Sequence, residues 1–588
     1  MKINIIQHNQ HDSMCDAETI MMILRRLKKK PEIKNVPINN SPNNVENAHM
    51  NIFIDGINMS FVPKASTNII IVNHFTFTPV WKELLVNFDL ILCKTKYAYD
   101  IFSEFVEKDK LMLVPWQSSE RGTGSIEKER DQIMLMYTNP FAINLQPILD
   151  AWELEYPELN IVMVTDIPKN ITRRNLPNIN YIQNLSTEKF NILFNKCLIH
   201  ICLANMDNFN HNANQCQMSH SIPIIVNKGS SLEVVDPDGY FGVSSNKKKN
   251  LNFLGSRYAY NKDSVKETLE KVFATSDTTL EIMSKTAANY SLRNKMKSTE
   301  KLVPIFQNLV NNSSKIKTED VKKEDLPKLS IVTHVRNMKK MFKLAIINYR
   351  TTKYENMEWV IIDTSDEDQR VKEALPPEDM WQQFGIKYLT EESDKSLGYL
   401  YNKAIEQTTN NTVMIMQPDD FYYENGIVNL VKKLIQSKKQ CVGMSGYGCF
   451  HISRYISMIN VVPIYMPYYG RIYHGSLCFN KKFWESGKFS EEGTLLKPFL
   501  EGRTAEFQEI YYENIMIGLI HNLNPRGGIP DNQESNGCHF KLSEKVFKFV
   551  CSLETEEERN TENSKEPSTD TNEENVDEIE TNKEIKEI

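Results

Sequence analysis

The amino-acid sequence predicts an α/β protein built on parallel β-sheets. Short apolar runs such as NIFIDGI, NIIIVNH and LILCKT recur along the chain and have the length of buried strands. Segments of helical character, such as PILDAWELEYP and STEKFNILFNK, lie between such runs. Strands that alternate with helices are typical of βαβ units, and these units form parallel sheets.

Length and composition allow several domains. The chain has 588 residues, of which 40% are hydrophobic and 25% are charged. These values lie in the ordinary globular range, and the length suits two or three domains, each with its own core.

Changes in composition predict the domain boundaries. Residues 312–327 are polar and charged, and they predict a linker. A weaker boundary falls within SSERGTGSIEK at 118–128. The end of the chain is rich in Glu, Asn, Thr and Lys and has no aromatic residue, which predicts a disordered acidic tail. We therefore expect two Rossmann-like domains, a linker, a further α/β domain and the tail, at 1–125, 126–311, 312–327, 328–550 and 551–588.

The net charge of −7 comes from the tail. From Glu554 onward there are 14 acidic and four basic residues, so the rest of the chain carries about +3. No dense basic stripe or zinc-finger spacing is present, and we expect no nucleic-acid partner.

Three features predict a cytoplasmic protein. The apolar run in MKINIIQHNQHD is too short for a signal peptide. No apolar segment approaches the roughly 20 residues that span a bilayer. The ten cysteines are scattered through apolar stretches, as expected for reduced, buried thiols. Cys197, His200 and Cys202 lie in one such stretch, KCLIHICLA, which we interpret as a strand and not as a metal site.

The most informative chemistry follows the apolar run from Thr412 to Met416. This predicted strand leads into the adjacent carboxylates Asp419 and Asp420, and a helix is predicted from about Asn425. Two carboxylates at a strand end can hold a hard divalent cation together with phosphate oxygens. Such a cation neutralises a leaving diphosphate. The alternative is a turn followed by an ordinary helix N-cap.

An ordered series of segments precedes these carboxylates. LSIVTHVRNM predicts the first strand, EWVIIDTSDED places Asp363 at the end of a second strand, and Lys395, Gly398 and Asn402 mark the start of a helix. In this order, residues 328–425 resemble the GT-A glycosyltransferases of family 2. The resemblance implies metal-dependent transfer of a sugar from a nucleoside diphosphate sugar, with inversion at the anomeric carbon.

The same resemblance implies a role for each residue. Asp419 and Asp420 would hold the Mn²⁺ or Mg²⁺ that binds the diphosphate of the donor. Asp363 would contact the base or ribose, although its alignment is ambiguous by one residue. Lys395 and Asn402 would line the same pocket.

Gln417 departs from the family pattern. The family usually has a further Asp at this position, so the resemblance implies a weaker hold on the metal.

The segment from YYGRIYHGS to LEGR resembles the acceptor side of these enzymes. An inverting transferase needs a carboxylate that removes the proton from the acceptor hydroxyl. Glu492 is our first candidate and Glu501 is the second; the alternative is that both are solvent-exposed loop acids. Arg503 could clamp phosphate through its planar set of donors. His521 falls where many GT-A enzymes place a histidine near the metal, and the alternative is a core histidine.

Residues 126–300 resemble the C-terminal half of a GT-B glycosyltransferase. A strand and a helix come first, then a Leu-Ser-x-Glu helix start, then the strand IPIIV, and finally Glu233 before an Asp-Gly turn. Basic residues that usually hold the donor diphosphate are replaced by Asn139 and Asn144. An acidic pair at the donor sugar is softened to Asp207 and Gln215.

The remaining polar residues of this half support a role without turnover of a donor. His211 and Glu233 are retained, and the N-terminal part could add His11, Asp12 and His74, although structural roles are the alternative for these three. Because charged partners of a diphosphate are missing, we expect this half to bind or position the acceptor without turning over a donor.

These observations predict a tandem glycosyltransferase of the kind found in large DNA viruses and bacteria. The expected partners are a nucleotide sugar donor and a glycan or glycoprotein acceptor. Two alternatives stay open at this point: a bifunctional enzyme with both halves active, and a non-catalytic carbohydrate-binding or structural protein with transferase folds.

Overall fold

A computed structural model describes most of the chain. The described residues are 1–8, 11–121, 126–138, 143–206, 209–250, 253–314, 321–452, 455–460, 466–521, 542 and 544–553. Asn139, Asp207, the middle of the predicted linker and the predicted acidic tail from residue 554 onward lie outside these ranges.

The first sheet has six parallel strands in the order β2-β1-β3-β4-β5-β6. The strands are β1 (Lys2–Gln7), β2 (Glu32–Pro37), β3 (Ala48–Ile54), β4 (Ala65–Val72), β5 (Leu90–Cys93) and β6 (Leu111–Leu113). Helices α1 (His11–Leu24) and α2 (Lys96–Phe102) belong to this part. The three apolar runs that predicted strands are the cores of β3, β4 and β5.

The second sheet also has six parallel strands, in the order β12-β11-β10-β7-β8-β9. The strands are β7 (Glu129–Tyr137), β8 (Glu158–Met163), β9 (Ile179–Gln183), β10 (Cys197–Ile201), β11 (Ile222–Val226) and β12 (Phe241–Val243). Counted within this sheet the order is 3-2-1-4-5-6, which is that of the Rossmann fold. An antiparallel hairpin of β13 (Asn246–Lys249) and β14 (Ser256–Ala259) follows.

Five helices accompany the second sheet: α3 (Leu145–Ala151), α4 (Thr187–Lys196), α5 (His211–Met218), α6 (Lys262–Ala274) and α7 (Asp277–Asn312). Helix α4 begins as its sequence predicts, because the Ser186 hydroxyl caps it by accepting from the N–H of Lys189. The helix predicted over residues 147–157 is shorter than expected. It ends at Ala151, where Trp152 turns to an extended backbone and packs edge-on against Tyr156 and Phe273.

The C-terminal half contains a seven-stranded sheet and a four-stranded sheet. Their strands are β15 (Leu329–Val335), β16 (Met357–Asp363), β17 (Ile386–Thr390), β18 (Thr412–Ile415), β19 (Phe421–Tyr422), β20 (Cys441–Met444), β21 (Tyr447–His451), β22 (Ile456–Asn460), β23 (Tyr473–Asn480), β24 (Phe507–Glu509) and β25 (Met516–Ile520). The larger sheet has the order β17-β16-β15-β18-β23-β20-β24, and only β23 runs antiparallel to its neighbours. The smaller sheet has the order β19-β25-β21-β22.

The helices of this half are α8 (Phe342–Thr351), α9 (Trp381–Phe384), α10 (Leu397–Glu406), α11 (Gly426–Ser437), α12 (Tyr468–Arg471), α13 (Lys481–Glu485), α14 (Lys497–Leu500) and α15 (Glu544–Cys551). The α/β class with parallel sheets is therefore confirmed. In the described part of the chain, every helix is too short or too polar to cross a bilayer.

Within the described ranges the cysteines form no disulfide, and all but Cys551 are buried. The stretch that contains Cys197, His200 and Cys202 forms β10 and its end, as the apolar alternation predicts. Burial lowers the pKa of His200 to about 3. His200 is therefore a neutral core residue.

The first sheet and the C-terminal half share one apolar core. A single cluster of buried side chains contains Phe61, Trp81 and Leu84 from the first part and Phe483 and Phe507 from the last. The buried Gln508 side chain donates to the carbonyl of Met59 at 2.7 Å, and Thr504 Oγ1 donates to the carbonyl of Glu83 at 2.8 Å. The C-terminal half is thus packed against residues more than 400 positions earlier in the chain.

A buried ionic network joins the first sheet to the second. The Asp16 carboxylate lies 2.5 Å from Lys94 Nζ and 3.0 Å from His211 Nε2, and it accepts from Trp116 Nε1 at 2.6 Å. The side chains of Asp16, Lys94 and His211 are at most 5% exposed. Lys94 also lies 3.6 Å from Asp55. Asp16 is therefore the centre of the network and Asp55 lies at its edge.

We expect Asp16→Asn to destabilise the protein much more than Asp55→Asn. Loss of one partner from a buried ion pair costs about 3–5 kcal/mol, because the other charge stays buried. Burial raises the pKa of Asp55 to about 6, so ionisation of Asp55 lowers the stability as the pH rises from about 4 to 6. Asp55→Asn removes this penalty. Urea unfolding of both variants at pH 7.5 measures the difference, and equal losses would contradict the central role of Asp16.

Candidate active site

The order of the larger C-terminal sheet defines a crevice. Strand β15 is central, β16 and β17 lie on one side of it, and the chain then crosses to β18 on the other side. In open α/β sheets, ligands bind outside the carboxyl ends of the strands where the order reverses. The ends of β15 and β18 are such a point, and Asp419 follows β18 by four residues.

Asp419 and His521 meet beside this point. Strand β25 pairs with β19, which brings residues 516–521 back to the turn after β18. His521 Nε2 lies 3.1 Å from Asp419 Oδ2, and both side chains are at most 1% exposed. Among the described residues, His521 Nδ1 has no hydrogen-bond partner. The two side chains form a buried carboxylate–imidazole pair.

Asp420 has different partners from its neighbour. The Tyr473 hydroxyl donates to Asp420 Oδ2 at 2.6 Å, and the N–H of Leu519 donates to Oδ1 at 3.3 Å. The Asn348 amide donates to the Asp420 carbonyl at 2.7 Å. Asp420 therefore connects β23, β25 and α8.

Gln417 contacts a group of aromatic side chains next to the crevice. Its side-chain amide donates to the Tyr401 hydroxyl at 2.7 Å. The Tyr401 ring lies near those of His334, His474 and Phe489, with centroids 5.8–6.4 Å apart. Burial raises the pKa of Tyr401, so its hydroxyl stays protonated. In place of a further acid, this position supplies a hydrogen bond to the Tyr401 hydroxyl.

His334 lies at the end of β15. Its Nε2 is 2.9 Å from Thr364 Oγ1. Burial lowers the pKa of His334 to about 4; nearby Asp363 opposes this shift, and Arg336 reinforces it. His334 is therefore neutral near pH 7, and the exposed Arg336 is a positive group next to the crevice.

Asp363 lies at the end of β16, as expected, and is fully buried. Its carboxylate accepts from the N–H groups of Ser365 and Val371, each at 2.9 Å, and from the Tyr388 hydroxyl at 2.6 Å. These bonds fold the loop after β16 over the strand end. The predicted contact with the nucleotide stays a prediction.

Lys395 and Arg503 already have partners within the protein. Lys395 lies 3.2 Å from Glu392 and 3.4 Å from Asp394, and these partners raise its pKa. The Arg503 guanidinium donates to the carbonyls of Phe499 and Phe483 and to the Ser486 hydroxyl, and it covers the Phe483 ring at 3.4 Å. The geometry assigns Arg503 to the turn after α13 and gives no support to the predicted phosphate clamp.

The acidic candidates Glu492 and Glu501 are both exposed. Glu492 lies in a turn that is closed by the bond from the Ser490 N–H to the Leu495 carbonyl at 2.9 Å. Asn402, which was predicted to line the donor pocket, lies on α10 and is bonded to Phe489 in the segment before this turn. The structure thus places Asn402 next to the segment that carries Glu492.

Three candidate donor-site residues of the second sheet contact the first part of the chain, and a fourth contacts Tyr260. Gln215 Oε1 accepts from Arg121 Nε at 2.8 Å, and His211 binds Asp16 as described above. Glu233 accepts from the N–H groups of Lys96 and Tyr97 at the start of α2, at 2.5 and 2.8 Å. Asn144 lies next to α3, where its N–H donates to the Tyr260 hydroxyl at 3.1 Å. The predicted role of this half in acceptor binding stays a prediction.

Asp12, His11 and His74 lie in the first part, as expected. Asp12 and His11 begin α1. His74 is buried and its ring centroid lies 5.2 Å from that of Tyr97.

Sequence reasoning missed four residues near the crevice: Arg336, Tyr401, Tyr473 and Trp484. Arg336 follows the first strand of the C-terminal half directly, and this position could have identified it. The aromatic residues gave no signal, because their roles depend on partners that are 16 to 82 residues away in sequence.

A family model described as "Glycosyl transferase family 2" matches residues 330–489. This range runs from β15 to the segment after α13 and includes Asp363, Asn402 and Asp419. It therefore supports the resemblance that the C-terminal half shows to this family. His521, Glu492 and Glu501 lie beyond its end.

Among solved structures, the chain is similar to the mannosyltransferase PcManGT from Pyrobaculum calidifontis in complex with GDP-Man and Mn²⁺. The identity is 16% and the TM-score 0.27, and the match covers 35% of this chain and 60% of that chain. It is also similar to S. aureus TarS 1-349 (13% identity, TM-score 0.26, 33% and 60% covered) and to the same protein in complex with UDP-GlcNAc (11%, 0.28, 38% and 64%). The match spans less than two thirds of each of these chains. A comparison with curated proteins gives no match.

We expect Asp363→Asn to lower the stability of the C-terminal half. The amide nitrogen of Asn faces a hydroxyl and two N–H donors, and an unsatisfied buried polar group costs about 1–3 kcal/mol. Thermal unfolding of the full chain measures this loss, and hydrogen exchange at residues 364–371 locates it. Unchanged exchange in this loop would contradict the structural role of the carboxylate.

Proposed function

We propose that this chain is a glycosyltransferase that moves a sugar from a nucleoside diphosphate sugar to a hydroxyl of a glycan or protein. The reaction takes place in the crevice beside Asp419 and His521. The observation that carries this proposal is the buried Asp419–His521 pair at the strand-order reversal, in a segment that begins within the matched family range. The aromatic side chains around Tyr401 and the positive charge of Arg336 suit the binding of a nucleotide with its phosphates.

Asp419 and His521 are the residues that hold the divalent cation in this proposal. In the described part of the chain, no group of three or more His, Cys, Asp or Glu side chains is arranged to hold a metal. A magnesium-type cation usually takes only one or two protein carboxylates and completes its shell with phosphate oxygens and water. The 3.1 Å separation between His521 Nε2 and Asp419 Oδ2 is consistent with such a small protein share.

The bound cation supplies charge stabilisation to the leaving diphosphate. Arg336 adds positive charge at the end of β15, while Asp420 keeps Tyr473 and β25 in place under the site. Glu492 accepts the proton of the acceptor hydroxyl as that oxygen attacks the anomeric carbon, with Glu501 as the second candidate. Direct attack opposite the leaving group inverts the configuration.

We further infer that the first two sheets form a GT-B-like pair that supports the acceptor side without turnover. Two parallel six-stranded sheets in series, the second with the Rossmann order, support this assignment. Gln215, His211 and Glu233 are engaged across the boundary between the sheets, which argues against a second donor site.

We expect Asp419→Asn and His521→Ala to weaken Mn²⁺ binding at least tenfold. Asp420→Asn should instead lower the unfolding temperature, because it disrupts bonds to Tyr473 and Leu519. Titration of Mn²⁺ in the presence of uridine or guanosine diphosphate, followed by electron paramagnetic resonance, measures the first effect. Asp379→Asn, at an exposed position, is the control. Wild-type affinity in both Asp419→Asn and His521→Ala would remove the metal site from the proposal.

We expect the full chain to release nucleoside diphosphate from at least one member of a nucleotide-sugar panel with Mn²⁺. Asp419→Asn should reduce this release on the order of 100-fold, as loss of a charge-stabilising group does elsewhere. The full chain is required because its halves share a core. Asp379→Asn should retain the wild-type rate.

Two outcomes would favour the alternatives. Substantial release that persists in Asp419→Asn would indicate a second active site in the N-terminal half. No release from folded wild-type protein with any donor would favour a non-catalytic carbohydrate-binding protein.

A further inference from the structure

We propose that Asn402 is a positioning residue for the acidic loop, which we define as residues 489–493, and that it makes no contact with the donor. This inference rests on the proposed function, because the loop carries Glu492. It also reassigns the one polar residue of α10 that the family resemblance gave to the donor pocket.

Both the nitrogen and the oxygen of the Asn402 side-chain amide form hydrogen bonds with the loop, and the oxygen also bonds to Trp484, which precedes the loop. Its Nδ2 donates to the Phe489 carbonyl at 3.0 Å and to Glu491 Oε1 at 3.4 Å. Its Oδ1 accepts from the Phe489 N–H at 3.1 Å and from Trp484 Nε1 at 2.9 Å. The pair of bonds with Phe489 fixes both the position and the direction of the backbone there.

These four bonds use the hydrogen-bonding capacity of the side chain. An Asn amide has two N–H donors and two acceptor lone pairs. Asn402 is also 4% exposed. A donor molecule in the crevice would therefore have to displace an existing bond in order to contact this amide.

Gly398 provides a second, independent contact between α10 and the loop. It lies one helical turn before Asn402, so both residues face the same side of α10. A Cβ atom at Gly398 would lie 1.7 Å from the carbonyl oxygen of Ser490. The absence of a side chain is what allows the helix to lie against the loop backbone at this distance.

Hydrogen bonds and a glycine turn also hold the residues of the loop together. Ser490 Oγ donates to the Glu492 carbonyl, and the Ser490 N–H donates to the Leu495 carbonyl. Gly493 has a φ of +75°, which is favourable for glycine and turns the chain back. Because Glu492 lies inside this closed turn, an anchor at Phe489 and Ser490 sets the position of the backbone from which its side chain extends.

Asn402→Ala in the full chain tests the inference. We expect kcat for transfer to fall on the order of 100-fold, since displacement of a reacting group by about 1 Å has effects of that size. The Kd of the donor with Mn²⁺, measured by titration calorimetry, should stay within about twofold of wild type, because the donor does not contact this residue. Trp484→Phe removes one of the four bonds and should give a smaller loss of kcat with the same donor Kd.

Gly398→Ala should reproduce this pattern through a steric effect. The methyl group displaces the Ser490 carbonyl, so kcat falls while the donor Kd is retained. Lys403→Ala, on the same helix but bonded to Glu391 away from the loop, is the matched control and should keep the wild-type kcat.

Hydrogen exchange separates this inference from the proposed function. Asn402→Ala should exchange faster at residues 489–495 and keep its protection elsewhere in α10, whether or not the wild-type chain transfers sugar. A tenfold rise in donor Kd with kcat unchanged would overturn the inference and return Asn402 to the donor pocket. Unchanged exchange at residues 489–495 would overturn it as well. An inactive wild type with this exchange response would refute only the proposed function.

Discussion

The carboxylate of Asp420 is the constraint on which the geometry of the C-terminal half depends. It is buried, and a buried charge is tolerated only when hydrogen bonds replace its water. Tyr473 and Leu519 provide these bonds from β23 and β25, while Asn348 holds its carbonyl from α8. Strand β25 is thereby held against the turn after β18. His521 follows β25 directly, so the same bonds bring it to Asp419.

Two adjacent acids therefore have separate tasks. Asp419 and Asp420 lie in the turn after β18, and their carboxylates have different partners. The Asp420 carboxylate accepts hydrogen bonds from Tyr473 and Leu519, and the Asp419 carboxylate faces His521. The predicted metal role of Asp420 stays a prediction.

The overall class was predictable because it depends on local patterns. Apolar runs of strand length and the Ser cap of α4 are properties of neighbouring residues, and they identified β3, β4, β5 and α4. The adjacency of Asp419 to a strand end was equally visible, and the family match includes that segment. Helix α3 was overestimated because Trp152 leaves the helix to pack against Phe273, which is 121 residues away.

The hydrogen-bond partners of the site residues were not predictable, because these partners lie far away in the sequence. The resemblance to the family implied a place for Asn402 in the donor pocket, and the hydrogen bonds of its side chain go to residues 82 to 89 positions later. Arg503 presented a suitable fork of donors, but the carbonyls of Phe483 and Phe499 occupy them. Buried side-chain polar atoms nearly always have a hydrogen-bond partner in a folded protein, often a backbone group.

In the N-terminal half, the polar residues that were candidates for ligand binding have partners within the protein. Glu233 caps the start of α2, where the exposed N–H groups of a helix favour an anion. Gln215 binds Arg121, and His211 joins the Asp16 network. In an open two-domain transferase such residues would have to remain available to the donor. Here each has a partner across the boundary between the sheets, and separation of the sheets would leave Asp16 and Lys94 without His211 beside them. These polar residues therefore hold the two sheets together, and the core that the first sheet shares with the C-terminal half joins them to the part of the chain that carries Asp419.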